Sequence, residues 1–341
     1  MLELNFNSAS SVCLDLGSAL TKIVITDKKG NLERTLVTNN TTGFSIPKDR
    51  QQINSFANYL NDIFTQNKIP RTNIRLAMPE KFTSTQIIEI PTLTDVELAT
   101  SIQWQAQQYI PIPKEDLALS YQVLYRPEKK DEAVTNMRVL LIGIHKQDLD
   151  NILEGLKIAG LEPNLMETET IATLRNLPMQ MGESAQMTIN FGASGVDLVI
   201  VKNNELNLAI SHPNGSDMIT RALMTAFNLP KDKAEEYKKA YGIDPKHFDG
   251  KIARVIQPLV QTIISDIQNT ITFYNNKNNL NTLSRLYFAG GGAMMPGFPE
   301  VLAANFNLEI APMDIFANIQ GNIPEKDHLL YPVAVGLAKK K

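Results

Sequence analysis

The chain has 341 residues, of which 43% are hydrophobic and 20% charged, with a net charge of −3. That is material for about two folded domains of ordinary globular composition, and it excludes a general electrostatic field for nucleic acid or anionic lipid. The lone Cys13 excludes an internal disulfide and fits a reducing compartment. No apolar run approaches the roughly 20 residues of a bilayer span, and Met1-Leu2-Glu3-Leu4-Asn5 lacks the basic-then-apolar order of a secretory leader.

In chain order, Val12-Cys13-Leu14, a polar turn from Asp15 to Lys22, and Ile23-Val24-Ile25 predict a β-hairpin with small residues at its tip. Gln51–Gln66 carries Ile53, Phe56, Leu60 and Phe64 at helical spacing, and Ile74–Met78 is a strand closed by Pro79. A second block begins near Phe82. Thr94-Asp95-Val96-Glu97 has the form of a capping box opening a helix to about Gln108, which the prolines of Ile110-Pro111-Ile112-Pro113 end. Ser120–Tyr125 and Met137–Ile144 are strands, and a helix from Lys146 to Ala159 stops at Gly160. Residues 80–163 thus form a compact αβ unit inserted between two larger halves.

The second half begins near Glu167 and repeats the opening. Met187-Thr188-Ile189 leads through Asn190-Phe191-Gly192-Ala193-Ser194-Gly195 into Val196–Val201, again a hairpin with a Gly, Ala and Ser turn. A repeat at half the chain length predicts two lobes with a cleft between them. Leu206–Ile210 is a strand, Ile219–Phe227 and Lys231–Tyr241 are helices, and Lys251–Asn275 is a long helix that Pro258 kinks or splits. A strand at Arg285–Ala289 enters Gly290-Gly291-Gly292-Ala293-Met294-Met295-Pro296-Gly297, followed by a helix to Asn305. The alternation predicts α/β lobes with covered sheets.

Three glycine-containing turns carry the candidate chemistry. Gly17, Ser18 and Ala19 offer amides and a hydroxyl to phosphates, Lys22 a point charge, and Asp15 a carboxylate able to hold Mg2+ through water. Gly192, Ala193 and Ser194 offer matching donors from the other half. Gly291 and Gly292 make a backbone shelf for an adenine ring, with Met294 and Met295 contacting that ring or packing beneath it. Glu167 and Glu169 lie at the crossing between halves, either positioning water or forming a solvated hinge pair. His145, His212, His247 and His328 have no ligand spacing, so metal binding by histidine is not expected. Trp104 reads better as a helix-face core residue than as a partner anchor. Ile110–Pro113 is either a groove lining or a stiff corner. Lys339-Lys340-Lys341 reads as a solvated end.

The order and spacing of the three turns resemble the actin-like ATPase superfamily. Asp15–Lys22 resembles its first phosphate loop, Asn190–Val196 its second, and Gly290–Gly297 its adenosine motif; Ala234-Glu235-Glu236-Tyr237-Lys238 resembles the helix whose Glu and Lys edge the adenosine pocket. Within the superfamily, Gln103–Pro113, Ala159–Pro163, Asp266-Ile267-Gln268 with Phe273-Tyr274, and Pro332–Ala338 resemble the PilM family of type IV pilus assembly. The resemblance runs from about Ser11 to Ala338, and FtsA is a further relative with an insertion where residues 80–163 lie.

The resemblance implies an actin-like α/β fold: duplicated subdomains around a nucleotide cleft, with an FtsA-like insert. The corresponding division is 1–79 with 320–341, the insert 80–163, 164–213 with 262–319, and a helical cap 214–261. It implies an adaptor, at most a weak ATPase, that binds ATP or ADP with Mg2+. The nucleotide contacts would be Gly17, Ser18, Ala19, Lys22, Gly192, Ala193, Ser194, Glu235, Lys238, Gly291, Gly292 and Met295, with Asp15 and Asn190 reaching Mg2+ through water. The partner would be the N-terminal cytoplasmic peptide of a PilN-like inner-membrane protein, in a groove between first lobe and insert; other pilus proteins and self-association are further possibilities, without nucleic acid. The protein would be cytoplasmic, meeting the membrane only through partners. Two positions depart from the pattern: Asn190 stands where the second loop has Asp, and Val196 where Thr is common. Hydrolysis should therefore be slow or absent. A small-molecule kinase or a filament-forming protein on the same fold are the competing readings.

Overall fold

The computed structural model describes residues 10–127, 135–179, 184–278 and 283–340. Its strands lie in three sheets, and two of them repeat one topology. In the first lobe, β1 (Ser11–Leu16), β2 (Leu20–Thr26), β3 (Leu32–Asn39), β4 (Ile74–Met78) and β8 (Pro163–Thr168) are ordered β3-β2-β1-β4-β8. In the second, β9 (Ala185–Phe191), β10 (Val196–Lys202), β11 (Glu205–His212), β12 (Leu283–Ala289) and β13 (Glu309–Pro312) are ordered β11-β10-β9-β12-β13. Each lobe thus opens with an antiparallel hairpin and ends with parallel strands. Parallel strands need a crossover, which helices supply: α1 (Arg50–Gln66) and α3 (Lys146–Ile158) in one lobe, α7 (Lys251–Asn278) and α8 (Phe298–Asn305) in the other.

Local chemistry places these elements. Asp49 caps α1 by accepting from the Gln52 amide, and the apolar side chains anticipated on that helix are buried under β1, β2 and β4. α7 continues through Pro258 as one helix and covers the second sheet with Ile252, Ile256, Val260, Ile263, Ile264 and Ile267. Between β11 and α7 lie α5 (Asp217–Phe227) and α6 (Lys231–Tyr241). The short α4 (Glu169–Leu174) follows β8 and packs on α9 (Pro332–Ala338), which lies against β1, β2 and β4. A Cβ at Gly336 would collide with the Ala172 carbonyl, so glycine sets that approach.

The third sheet, β5 (Thr83–Pro91), β7 (Asn136–His145) and β6 (Leu117–Tyr125) in the order β5-β7-β6, forms the insert with α2 (Asp95–Tyr109). The Thr94–Glu97 capping box is present at the start of α2. One face of the sheet, with Ile88, Ile90, Met137, Val139 and Leu141, packs on Leu98, Ile102 and Ala106 of α2. The opposite face, with Ile87, Leu140 and Ile142, packs on Val199, Val201 and Leu206 of the second lobe. Strand alternation in β7 therefore builds two cores at once.

Two expected boundaries move. The second lobe was expected from 164, yet β8 is hydrogen-bonded to β4 and belongs to the first sheet. The insert was expected to reach 163, yet α3 packs on α1, with Gly155 against the Phe56 ring, and joins the first lobe's core. Both shifts have one cause: α3 is the crossover that β4 and β8 require. Ile110 and Ile112 are buried in the insert's core, which makes their stretch a stiff corner rather than an open groove lining.

Candidate functional site

The two hairpins place chemically matched positions opposite each other. In the first, Asp15 pairs in register with Lys22; in the second, Asn190 pairs with Asp197. Asp15 shares its strand face with Cys13, Lys22 with Val24, and both turn away from the α1 side. Asn190 and Asp197 turn away from the α7 side, on the face that continues through Val199 and Val201. The polar pairs thus occupy the sheet faces between the lobes.

The first loop is braced from behind. Asn40 donates from Nδ2 to the carbonyls of Gly17 and Phe44, both at 2.8 Å, and its amide donates to the Ala19 carbonyl at 2.8 Å. Lys22 Nζ lies 3.0 Å from Asp15 Oδ2 and would be 3.1 Å from a Cβ on Gly17, so the ammonium sits over the loop. Asp15 is 3% exposed and its Oδ1 is buried without a partner, as is Ser18 Oγ. A buried carboxylate oxygen and hydroxyl left unsatisfied fit a ligand that supplies both acceptors and a positive ion.

The second loop is latched by the entry to α5. The Ser216 and Asp217 amides donate to the carbonyls of Gly192 and Ala193, each at 2.9 Å, and the Gly192 amide donates to Gly195 O at 2.9 Å. Gly215 packs so closely beneath the loop that any Cβ would overlap Ala193 O and the Gly195 amide. Behind it, Lys238 is 6% exposed and donates to Thr220 Oγ1 at 2.9 Å, Ser216 O at 3.3 Å and Glu235 Oε1 at 2.7 Å. Burial opposes ionisation of Glu235, but the Lys238 and Thr220 hydrogen bonds prevail and lower its pKa. Glu235 and Lys238 are thus paired with each other, and Lys238 is committed to holding α5 against α6.

The glycine shelf rests on the second loop. Gly290 has φ +91 and lies on the Phe191 carbonyl and Asn190 Oδ1, and a Cβ on Gly292 would be 2.6 Å from the Phe191 ring. Met295 is 3% exposed and packed in the second lobe's core, whereas Met294 is 40% exposed. The side chain of Met295 thus packs beneath the shelf, the second of the two placements the sequence left open.

Glu167 and Glu169 part company. Glu167 is held in a two-pronged ion pair by Arg175, with Oε2 at 2.8 Å from Nη2, and by Lys340 at 3.3 Å, so it is a structural anchor rather than a water-positioning group. Glu169 accepts from the Glu80 amide at 3.2 Å and faces the cleft. Its pKa is well raised by burial, then by the charges of Asp15 and Asp197. Glu80, 5% exposed, is bound by Thr85 Oγ1 at 2.6 Å and the Thr170 amide at 3.4 Å; burial raises its pKa too. Asp197 is raised to about 7 by burial and by Glu80, against hydrogen bonds from Ser211 at 2.7 Å and Asn190 at 3.5 Å.

Glu80, Asn40, Gly215 and Asp197 were not anticipated. Asp197 alone carried a readable signal, since the same interval separates Asp15 from Lys22 and Asn190 from Asp197. Trp104 corrects the core reading: it is 71% exposed, with Lys114 Nζ 5.8 Å from its ring centroid. Among the described residues no group of three or more His, Cys, Asp or Glu is placed to hold a metal directly, and no helix is long and apolar enough to cross a membrane.

Comparison with known proteins agrees with this architecture. A PilM-PilN type IV pilus biogenesis complex contains a chain of the same fold, with TM-score 0.83 at 18% identity over 96% of this chain and 97% of that one. The ethanolamine utilization protein EutJ from Carboxydothermus hydrogenoformans follows at 0.58 and 16% identity, covering 96% and 89%. MreB5 of Spiroplasma citri bound to ADP gives 0.54 and 12%, covering 97% and 95%. The fold is therefore that of the actin-like ATPases. The family model described as type IV pilus assembly protein PilM matches residues 13–341, and the chain belongs to that family.

Proposed function

We propose that this protein is a nucleotide-binding adaptor of type IV pilus assembly, taking ATP or ADP with Mg2+ between its lobes and the N-terminal cytoplasmic peptide of a PilN-like inner-membrane protein on its surface. The observation that carries the nucleotide reading is the pair of loops on facing sheets, one of which leaves Asp15 Oδ1 and Ser18 Oγ buried and unsatisfied. The adaptor reading rests on membership of the PilM family and on the fold shared with a chain of a PilM-PilN complex. The protein would work in the cytoplasm and meet the membrane through its partner.

In this reading the Gly17–Ala19 and Gly192–Ser194 amides clamp the phosphates from two sides, and Lys22 adds a charge already placed over the first loop. Asp15 would hold the hydrated cation from the first lobe, and the cation would neutralise phosphate charge when bound. Gly291 and Gly292 support the base, while Glu235 and Lys238 keep α5 and α6 in place around the nucleoside. Asn190 and Val196 deprive the second loop of a carboxylate and a hydroxyl, so hydrolysis should be slow or absent. Steady-state turnover at a kinase-like rate would contradict that.

The deciding experiment is calorimetry with the partner's N-terminal peptide, with and without Mg-ATP. Saturable one-to-one binding is expected, and any difference between the two conditions is the coupling free energy between the sites. Absence of peptide binding in both would remove the adaptor reading.

A further inference from the structure

The second hairpin has lost a carboxylate at one strand position and carries one at the position directly across the ladder. Asn190 occupies the place equivalent to Asp15, and Asp197 the place equivalent to Lys22. The correspondence extends along the row: Ala77 flanks Asp15 on β4 just as Ala289 flanks Asn190 on β12. A carboxylate moved from β9 to β10 therefore stays on the same sheet face and in the same row.

The electrostatics of the two rows differ. Asp15 is ion-paired at 3.0 Å to Lys22, so the first hairpin neutralises itself. Among the described residues the hydrogen-bond donors to Asp197 are neutral, Ser211 Oγ at 2.7 Å on Oδ1 and Asn190 Nδ2 at 3.5 Å on Oδ2. The ionisable groups facing it, Glu80, Asp15 and Glu169, are all carboxyls. Ser211 is its ladder partner on β11, so the Asp197 carboxylate is oriented from the side away from Asn190. Across the cleft, Asp15 Oδ1 is buried without a partner. Two carboxylates thus lie on facing sheets, one of them with a buried oxygen that has no hydrogen-bond partner.

We propose that Asp197, not Asn190, supplies the second lobe's carboxylate to the divalent cation that accompanies the nucleotide phosphates, through the cation's water shell. The proposal rests on the nucleotide reading above. Asn190 then serves as a positioning residue, its amide nitrogen turned toward Asp197 Oδ2. Water mediation fits a small hard cation that keeps several waters and takes other ligands from the phosphates.

The test is nucleotide affinity of the full chain by calorimetry in EDTA and in Mg2+, with Mn2+ electron paramagnetic resonance as a direct probe of the cation. Asp197→Asn should leave metal-free affinity unchanged or tighter and lower the metal-supported gain by about 10- to 100-fold. The double variant Asn190→Asp with Asp197→Asn returns the carboxylate to β9 and should recover most of that gain and the Mn2+ signal; a purely structural Asp197 would not be rescued this way. An unchanged metal dependence in Asp197→Asn overturns the proposal while leaving the nucleotide reading intact. Wild-type protein that binds no nucleotide in either condition overturns both. Should Asp197→Asn fail to fold, Ser211→Ala keeps the carboxylate and frees its orientation. It should show a smaller loss in the same direction, and an unaltered metal dependence there also counts against the proposal.

Discussion

Gly215 lies directly beneath Ala193, with no room for a single added carbon between its Cα and the Ala193 carbonyl. The contact joins the start of α5 to the second loop, whose Gly192 and Ala193 carbonyls accept from the next two amides of the chain. Gly215→Ala should therefore lift the loop from its latch, at a cost of about 1–3 kcal/mol of stability from overpacking. The same variant should weaken nucleotide binding more than it lowers the melting temperature would suggest. Thermal unfolding and nucleotide calorimetry on one preparation check both halves.

Lys238 is a buried cation whose hydrogen bonds tie α6 to α5. Lys238→Met keeps the apolar stem and removes the charge, leaving Glu235 with Thr220 alone, and should destabilise the protein by about 3 kcal/mol. Glu235→Gln retains a hydrogen-bonding side chain and should cost less. Urea unfolding of the three proteins at neutral pH gives the ranking, and equal stabilities would contradict it.

Burial raises the Glu80 pKa above the ordinary carboxylate value. The folded protein then holds a proton there more tightly than the unfolded chain does. That contribution to stability is full at pH below the unfolded value of 4.5 and is lost as pH rises through the folded one. Glu80→Gln should accordingly flatten the pH dependence of urea unfolding measured from acid to neutral pH without nucleotide. Parallel curves for the two proteins would show that Glu80 does not contribute.

Trp104 and Leu98 lie on different faces of α2, one 71% and the other 1% exposed. Leu98→Ala should cost about 2–5 kcal/mol by opening a cavity in the insert's core. Trp104→Ala should stay within about 0.5 kcal/mol of wild type, as surface substitutions do. A large loss at Trp104 would contradict its exposed position.

The elements legible in the sequence were those whose signal is local. The Gly and Ser turn between Val12–Leu14 and Ile23–Ile25 marks one hairpin, the capping box at Thr94 marks α2, and the repeated isoleucines of α7 mark its buried face. β3 and β5 escaped notice. β3 is only partly buried along Leu32–Asn39, and β5 begins with the polar run Thr83–Gln86, so neither shows a clean alternation. The site divides the same way. Gly17, Ser18, Gly192 and Gly292 announce themselves by residue type, whereas Glu80 reaches the cleft only because its neighbour β4 leads there and Thr170 from another element binds it. Glu167 and Glu169 are two residues apart yet serve different ends, because Arg175 and Lys340 approach only the first. Trp104 misled because size and aromaticity predict burial on average, while helix phase decides it in the particular case.

β7 has no solvent side: Val139 and Leu141 face α2, while Leu140 and Ile142 face Val199 and Val201. A variant lacking residues 80–145 would not simply be a bare pair of lobes. Its second lobe would present a sticky apolar stripe through Val199, Val201 and Leu206, each side chain giving up about 1.5–3 kcal/mol of burial. Such a chain would exchange its insert for a tendency to clump.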